Sequence, residues 1–401
     1  MPESLPERIE RLAAEGAAFA GVAPADIRVV RSPYRICPLG AHVDHQLGRV
    51  TGMALDRCLL LAFAPTADGL VRLRSADFAG EIEFSAAAAG SVPKEGWPRY
   101  AAGAVLALAD AGLPVSRGIA GVLEGSLPIG GLSSSAAVTV AYLLALETAN
   151  HQRVPPLQNV ALEQYVENVH IGLNNGILDQ SIILLSERSR LLYLDCLDAS
   201  WERIDPAGAM PEFGIVVAYS GLSESLVSTG YNQRVAECRA AAQQLLQCAG
   251  LPAPEGVVLR AVPVEAHEAH GRELPEPLAK RARHFFTENA RVLAGREAWA
   301  AGDLPAFGRL VDESGRSSIE NYECGSPELI TLHEALRAAP GVYGARFSGA
   351  GFRGSCIGLY RPGAEEGIRE AIAREFPARH PHVAERHEVH FCRSDDAAEV
   401  L

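Results

Sequence analysis

The sequence predicts a protein of mixed helices and strands with two domains. It has 401 residues, and a typical size of about 150 residues per domain allows two or three of them. Strand-like alternation of Val, Leu and Phe is frequent early in the chain, whereas helical patterns predominate from Tyr231 onward. The density of predicted helices rises after about residue 205. We therefore expect one domain over residues 1–205 and a second over residues 206–401.

The first half of the chain alternates between the two kinds of element. Its predicted helices cover residues 9–20, 98–111, 136–150 and 157–170. Its predicted strands lie near residues 27–31, 50–64, 69–85, 118–124, 190–195 and 213–219.

The second half is predicted to be mainly helical. Its helices are expected over residues 231–249, 277–300, 304–315 and 326–338. Residues 252–275 form the most loop-like long stretch, and the glycine-rich segment 341–360 is typical of a turn between two strands.

The composition of the chain argues against nucleic acids and membranes as partners. The formal net charge is −13 and no basic stripe is present, so polyanionic surfaces would be repelled. No stretch reaches the roughly 18 uncharged apolar residues of a membrane span, and the acid-containing N-terminus is unlike a signal peptide. Hydrophobic residues make up 48% of the chain, enough for sizeable cores, so we expect a compact soluble enzyme.

The cysteines form neither a CxxC pair nor a cluster of metal ligands. They lie at positions 37, 58, 196, 238, 248, 324, 356 and 392. Free thiols in a reducing compartment are the expected state, which predicts a cytoplasmic location.

A glycine-rich turn before a predicted helix is the strongest local signal for function. It reads Pro-Ile-Gly-Gly-Leu-Ser-Ser-Ser over residues 128–135. Such a turn presents unpaired backbone N–H groups at the positive end of a helix dipole, which suits a phosphate group. The Gly-Lys-Ser/Thr element of a Walker A loop is absent. A serine cap after a glycine turn remains the alternative interpretation.

Three further segments carry polar residues in settings that suit a ligand. Residues 35–45 hold an Arg, two His and an Asp around Pro and Gly, residues 344–354 are rich in glycine, and Asp179 lies in an apolar context. Taken singly, these segments are also typical of a surface loop, a hairpin with a bulge and a helix cap.

The order and spacing of these four segments resemble the GHMP kinase superfamily, and within it the galactokinases. Residues 35–45 look like the galactokinase signature, residues 128–136 like the family's Pro-x-Gly-x-Gly-Leu-Ser-Ser-Ser-Ala motif, and residues 344–354 like its third motif. Similar matches occur at residues 97–103, 231–238, 281–289 and 321–329. Within the family, residues 32–45, 176–181 and 344–354 look most like galacturonic acid kinases of the plant type.

This resemblance implies an α+β fold of two domains. A ribosomal-S5-like N-terminal domain (1–205) would pack against a ferredoxin-like C-terminal domain (206–401). ATP and a sugar would meet in the cleft between them.

The resemblance also implies how a phosphoryl group would be transferred. Asp179 matches the catalytic aspartate, which would act as general base, and Arg35 matches its partner, which would offset charge on the transferring group. Ser135 and Glu167 match the family's Mg²⁺ ligands. The phosphates of ATP would lie against a loop that contains Gly130, Gly131, Leu132, Ser133, Ser134 and Ser135. Trp97 would either stack on adenine or belong to the core.

The sugar would be held by His42, Asp44, Asp179 and Tyr231, by similarity to galactokinases. Two positions depart from that family. Ala41 stands where galactokinases have a Glu that bonds the C6 hydroxyl, and losing that charge would admit a C6 carboxylate. Arg353 stands where they usually have Gly, and it would either bind a carboxylate or face solvent.

The predicted activity is therefore ATP- and Mg²⁺-dependent phosphorylation of the C1 hydroxyl of a small sugar acid, D-galacturonate. A galactokinase acting on D-galactose and a non-catalytic, sugar-binding regulator are the alternatives.

Overall fold

The computed structural model describes residues 3–128, 132–208, 210–222 and 230–401. The α-helices in these ranges are α1 (Leu5–Ala20), α2 (Pro98–Asp110), α3 (Ser134–Ala149), α4 (Pro156–Tyr165), α5 (Leu178–Leu185), α6 (Tyr231–Cys248), α7 (Val264–His270), α8 (Glu276–Ala300), α9 (Leu304–Glu320), α10 (Pro327–Ala338) and α11 (Glu365–Arg379). The strands are β1 (Arg28–Ile36), β2 (Arg49–Thr66), β3 (Leu70–Ser75), β4 (Glu81–Ser85), β5 (Gly118–Gly125), β6 (Leu191–Asp195), β7 (Ser200–Ile204), β8 (Gly214–Tyr219), β9 (Val342–Phe347), β10 (Ser355–Tyr360), β11 (Glu388–Cys392), β12 (Ser394–Asp395) and β13 (Glu399–Val400).

The larger sheet is built around the long strand β2. Its main path runs β13-β1-β2-β5-β3-β4, and β3 and β5 are parallel neighbours within it. The C-terminal half of β2 pairs with β5, whereas its first residues pair with β6, which continues to β7. Both β1 and β2 are buried along most of their length, although β1 carries three arginines among its nine residues.

The smaller sheet has the order β11-β8-β10-β9, and all its neighbours are antiparallel. Numbered by their order along the chain, the four strands lie side by side as the fourth, first, third and second. Helices lie between β8 and β9 and between β10 and β11. That is the β-α-β-β-α-β arrangement of a ferredoxin-like domain. The expected C-terminal architecture is therefore confirmed.

The last strands of the chain return to the larger sheet. β12 pairs with β2, and β13 pairs with β1. The Arg31 guanidinium fixes this return because it contacts Asp395 at 2.9 Å and Glu399 at 3.0 Å. The division of the chain at residues 205 and 206 stays a prediction.

One apolar cluster joins the two sheets. It includes Val50 and Ile183 from the first half of the chain and Ile215 and Trp299 from the second. Each of these side chains is fully buried. Shared burial of this kind holds the two halves together and fixes the floor of the cleft between them.

Several short elements were not predicted from the sequence. α5 was not predicted, because a short apolar run does not distinguish a helix from a strand. α7 lies inside residues 252–275, so predicting that whole stretch as a loop was wrong. The sequence analysis also missed β7, α11 and the strands after residue 387. The long helices α6, α8 and α10 agree with prediction to within one residue at each end.

Two smaller expectations can be compared with the structure. All eight cysteines are free, and only Cys248 is exposed. No helix in the described part of the chain is long and apolar enough to cross a membrane.

Candidate active site

A cleft of about 580 Å³ brings together most of the residues predicted to bind ATP, metal and sugar. The predicted site residues that line it are Arg35, Ala41, His42, Asp44, Trp97, Ser133, Ser134, Ser135, Glu167, Asp179, Tyr231 and Arg353. Leu132 is buried in the core instead. Gly130 and Gly131 lie outside the described residues.

An arginine–aspartate pair lies in this cleft. Arg35 is near the end of β1 and is 2% exposed, and its Nε atom donates to Asp179 Oδ1 at 2.6 Å. Burial lowers the pKa of Arg35, but the charge and hydrogen bond of Asp179 raise it more, so it lies above the ordinary value. Asp179 is in the first turn of α5, where a negative charge is favourable. This ion pair thus links β1 to α5.

The serine segment before α3 contacts this pair. Ser133 adopts a left-handed backbone conformation (φ 58°) as the residue before α3, and its hydroxyl donates to Asp179 Oδ2. The next hydroxyl, on Ser134, is buried and has no hydrogen-bond partner in the described part of the chain. An unsatisfied hydroxyl at the start of a helix is available to a phosphate oxygen of a bound nucleotide.

Glu167 provides an oxygen site beside the serines. It lies in a π-helical turn after α4, is 2% exposed, and accepts hydrogen bonds from Ser135 and Asn175. Burial, and then the charge of Asp179, raise its pKa to about 7. A buried carboxylate next to a hydroxyl is a hard-oxygen donor set, so Glu167 and Ser135 fit Mg²⁺.

Glu163 is a second buried acid that sequence reasoning missed. It lies one helical turn before Glu167 and is fully buried, and neither carboxylate oxygen has a hydrogen-bond partner among the described residues. Burial and then the charges of Glu167 and Asp179 raise its pKa well above the ordinary value. The i, i+4 spacing of Glu163 and Glu167 on a predicted helix was the signal that could have revealed this residue.

Asp44 faces the same cleft from the loop after β1. Burial, followed by the charge of Asp179, raises its pKa to about 6. Gly176 approaches it so closely that a Cβ atom at that position would lie 2.7 Å from Asp44 Oδ2. The glycine before Asp179 is thus required for packing, because any side chain there would displace Asp44.

Three histidines surround the position of Ala41. His42 stacks on Tyr322 with ring centroids 4.2 Å apart, His45 Nε2 lies 3.1 Å from the Tyr322 hydroxyl, and His284 Nε2 donates to the Ala41 carbonyl at 2.8 Å. Burial is the main cause that lowers the pKa of each imidazole: well below the ordinary value for His42, to about 3 for His45 and to about 4 for His284. These imidazoles are neutral at physiological pH.

Glu288, a further residue that sequence reasoning missed, fixes the backbone that carries Ala41. Its Oε1 atom accepts from the backbone N–H groups of residues 40 and 41 at 2.8 and 3.0 Å and from Ser314 Oγ at 2.6 Å. Its Oε2 atom contacts Arg291 Nε at 2.7 Å. Burial would raise the pKa of Glu288, but the neighbouring positive charges, Arg291 foremost, hold it at about 2.

The remaining predicted residues lie along the walls of the cleft. Tyr231 is the first residue of α6, is buried, and makes an edge contact with His45 at 6.0 Å between centroids. Trp97 stacks on Phe78 with centroids 6.4 Å apart and is partly exposed at the opposite end. Arg353 is exposed at the rim.

Comparison with known proteins identifies the family. The family description "GHMP kinases N terminal domain" matches residues 99–187, and "GHMP kinases C terminal" matches residues 296–378. The chain is 46% identical to galacturonokinase of Arabidopsis thaliana over 408 aligned residues, which cover 96% of each protein. This chain belongs to the GHMP kinase family.

Other relatives of this GHMP kinase act on sugars according to their names. It is 34% identical to galactokinase of Roseiflexus sp. (strain RS-1) over 92% of this chain and 91% of that one. The structure of Lactococcus lactis galactokinase complexed with galactose matches it with a TM-score of 0.88 at 29% identity, covering 98% and 99% of the two chains. The mevalonate kinase of Methanococcus jannaschii, at 15% identity and a TM-score of 0.65, shares the fold.

These relatives show that this chain is a sugar kinase. The expected α+β, two-domain GHMP kinase fold, with an N-terminal and a C-terminal family domain, is likewise confirmed.

Proposed function

We propose that this sugar kinase transfers the γ-phosphoryl group of ATP to the C1 hydroxyl of D-galacturonate. The observation that carries the substrate is Ala41, a small uncharged side chain on the wall of the cleft next to the neutral imidazoles of His42 and His284. Ala41 brings no negative charge to the cleft wall, and the Glu288 carboxylate that accepts from its backbone N–H is fully buried rather than exposed to the cleft. The name of the Arabidopsis relative supports the same substrate.

Asp179 would accept the proton from the C1 hydroxyl as the phosphoryl group arrives. Its two oxygens are hydrogen-bonded to Arg35 and Ser133, so the carboxylate is held in one orientation. Arg35 would also offset the charge that develops on the transferring group. Phosphoryl transfer needs little more than such positioning and charge stabilisation.

Nucleotide and metal would bind on the serine side of the cleft. Ser134 has a free hydroxyl for a phosphate oxygen, and Ser135 with Glu167 would hold Mg²⁺. When bound, the metal neutralises charge on the phosphates. Trp97 lies at the cleft wall where a base could stack on it.

The sugar hydroxyls would be held by Asp44, His42 and Tyr231, which line the other end of the cleft. Asp44 offers an acceptor for two hydroxyls, and neutral His42 can accept or donate.

Galactokinase activity is the second candidate, because several relatives carry that name and one of their structures contains galactose. A coupled ADP-release assay with galacturonate, glucuronate and galactose at equal concentration separates the two. Galacturonate is expected to give the highest kcat/KM. A higher value for galactose would replace the proposal with a galactokinase.

A further inference from the structure

Arg346 is a buried arginine on β9 whose charge has no direct partner within the described ranges. It is 1% exposed and lines the cleft. Its Nη1 atom donates to the Cys37 carbonyl at 2.7 Å, and its Nε atom is buried without a hydrogen-bond partner. It forms no ion pair with any carboxylate in the described part of the chain. A buried guanidinium without an acid is costly, which makes the site receptive to an anion.

The other cleft arginines differ from Arg346. Arg35 is paired with Asp179. Arg353 is exposed at the rim. Arg99 lies beside Trp97, at the opposite end from Ala41, and donates to Lys94 O and Tyr100 Oη. Among these four cleft arginines, Arg346 is the one that is buried, lies beside the loop that carries Ala41 and forms no ion pair within the described residues.

One acid close to Arg346 already has its own partners. Glu288 is close enough for the Arg346 charge to lower its pKa. Its oxygens, however, are already bound to Arg291, to Ser314 and to the backbone of residues 40–41. Glu288 therefore contributes to the field around Arg346 without filling its hydrogen-bonding positions.

If the C1 hydroxyl of the sugar lies at Asp179, Arg346 lies where the opposite end of the sugar, which carries C6, would be. Ser348, two residues beyond Arg346, accepts from Arg35 Nη1 at 3.3 Å, and Arg35 contacts Asp179. Residues two apart on an extended strand face the same side and are separated by roughly 7 Å. That separation is comparable to the width of one hexose ring, so C6 would point toward Arg346 and Ala41.

The histidines near Ala41 supply no positive charge to a bound carboxylate. His42, His45 and His284 are uncharged because burial lowers the pKa of each imidazole. A carboxylate bound beside Ala41 would therefore depend on Arg346 for its charge complement.

We propose that Arg346 binds the C6 carboxylate of the sugar acid and thereby sets the preference for an acid over a neutral sugar. This inference rests on the proposed galacturonate substrate. It assigns to a buried arginine the role that the sequence alone suggested for Arg353.

Binding measurements with three ligands test the role of the charge directly. Galacturonate, its methyl ester and galactose are titrated by calorimetry without ATP, so that turnover is not needed. The ester keeps the shape of the acid but lacks its charge. In Arg346→Gln, galacturonate affinity is expected to fall roughly 10- to 100-fold, whereas the affinities for ester and galactose stay within about threefold. Arg346→Lys should restore part of the loss because it restores the charge.

Arg353→Gly is the matched control, since it removes an arginine from the rim of the same cleft. Its effect on the ratio of acid to ester affinity should be smaller than that of Arg346→Gln. If Arg346→Gln lowers the affinity for all three ligands equally, the inference is overturned. Arg346 would then act only by holding the loop in place through its hydrogen bond to the Cys37 carbonyl. A selective loss in Arg353→Gly instead would overturn it in favour of Arg353.

Two outcomes separate this inference from the proposed function. If Arg346→Gln does not fold, as judged by circular dichroism, the uncharged variant Arg346→Met takes its place, and an unchanged acid-to-ester ratio in that variant overturns the inference. If the parent enzyme binds and phosphorylates galacturonate but Arg346→Gln leaves its affinity unchanged, only the inference fails. If the parent enzyme does not prefer galacturonate to galactose, and binds galacturonate and its methyl ester with equal affinity, the proposed function fails as well.

Discussion

Replacing Ala41 with Glu should change the sugar preference of this kinase more than any other single substitution in the cleft. Ala41 is 3% exposed, and its backbone is held on both sides, by Glu288 at the N–H and by His284 at the carbonyl. Because the backbone cannot move away, the longer side chain of Ala41→Glu must extend into the cleft. Its carboxylate would then lie where C6 of the sugar is expected.

The size of the effect follows from the charge placed there. Two like charges about 4 Å apart at an effective dielectric near 20 repel by roughly 4 kcal/mol. That corresponds to about a thousandfold in affinity, an upper limit that screening or protonation of the new acid would reduce. Contact between the new carboxylate and Arg346 would lower the repulsion, but it would also occupy the cation that galacturonate needs. The affinity for galacturonate therefore falls in either case.

The measurement is the ratio of kcat/KM for galacturonate to that for galactose, in parent and mutant at one pH. The kcat/KM for galactose should fall less than that for galacturonate, and it can rise, because the C6 hydroxyl of galactose donates to the new carboxylate. Ala41→Gln is the control, since it has the same shape without the charge, and its ratio should change far less. A ratio in Ala41→Glu that stays within about threefold of the parent refutes the reasoning, and position 41 then does not set specificity.

Three further predictions concern the reaction and its ligands. Asp179→Asn should lower kcat by at least about a hundredfold with nearly unchanged ATP binding, measured by calorimetry; a rate within about tenfold of the parent would remove Asp179 from the role of base. Glu167→Gln and Ser135→Ala should each raise the Mg²⁺ concentration for half-maximal rate, and an unaltered dependence in both would move the metal site elsewhere. Because the pKa of Asp44 is raised to about 6, the side chain is protonated below that pH and ionised above it. Galactose affinity should therefore weaken as pH falls from 7 to 5, and Asp44→Asn should be insensitive to pH over the same range.

The pairing of Asp179 with Arg35 could be predicted from the sequence, but its surroundings could not. Asp179 and Arg35 occur in recognisable motifs, and the structure places their side chains 2.6 Å apart. The helix that carries Asp179 was missed because its eight residues are mostly apolar, a pattern shared by strands.

Arg346 lay inside the glycine-rich motif, yet nothing in the linear pattern showed that it is buried without an acid partner. Partners of buried charges are decided by which strands and loops pack together over long sequence separations. Glu288, more than 240 residues from the backbone groups it binds, shows the same limitation.

The return of the C-terminal strands to the larger sheet affects how the cleft can open. The chain passes from one sheet to the other between β7 and β8 and passes back immediately after β11. The second passage is fixed by reciprocal contacts, in which Asp56 N donates to Arg393 O at 2.9 Å and Arg393 N donates to Asp56 Oδ1 at 3.1 Å. Two bodies attached at two points can rotate freely only about the line that joins those points. Because a shared apolar core already holds the two halves together, these two chain passages further restrict twisting of one half against the other.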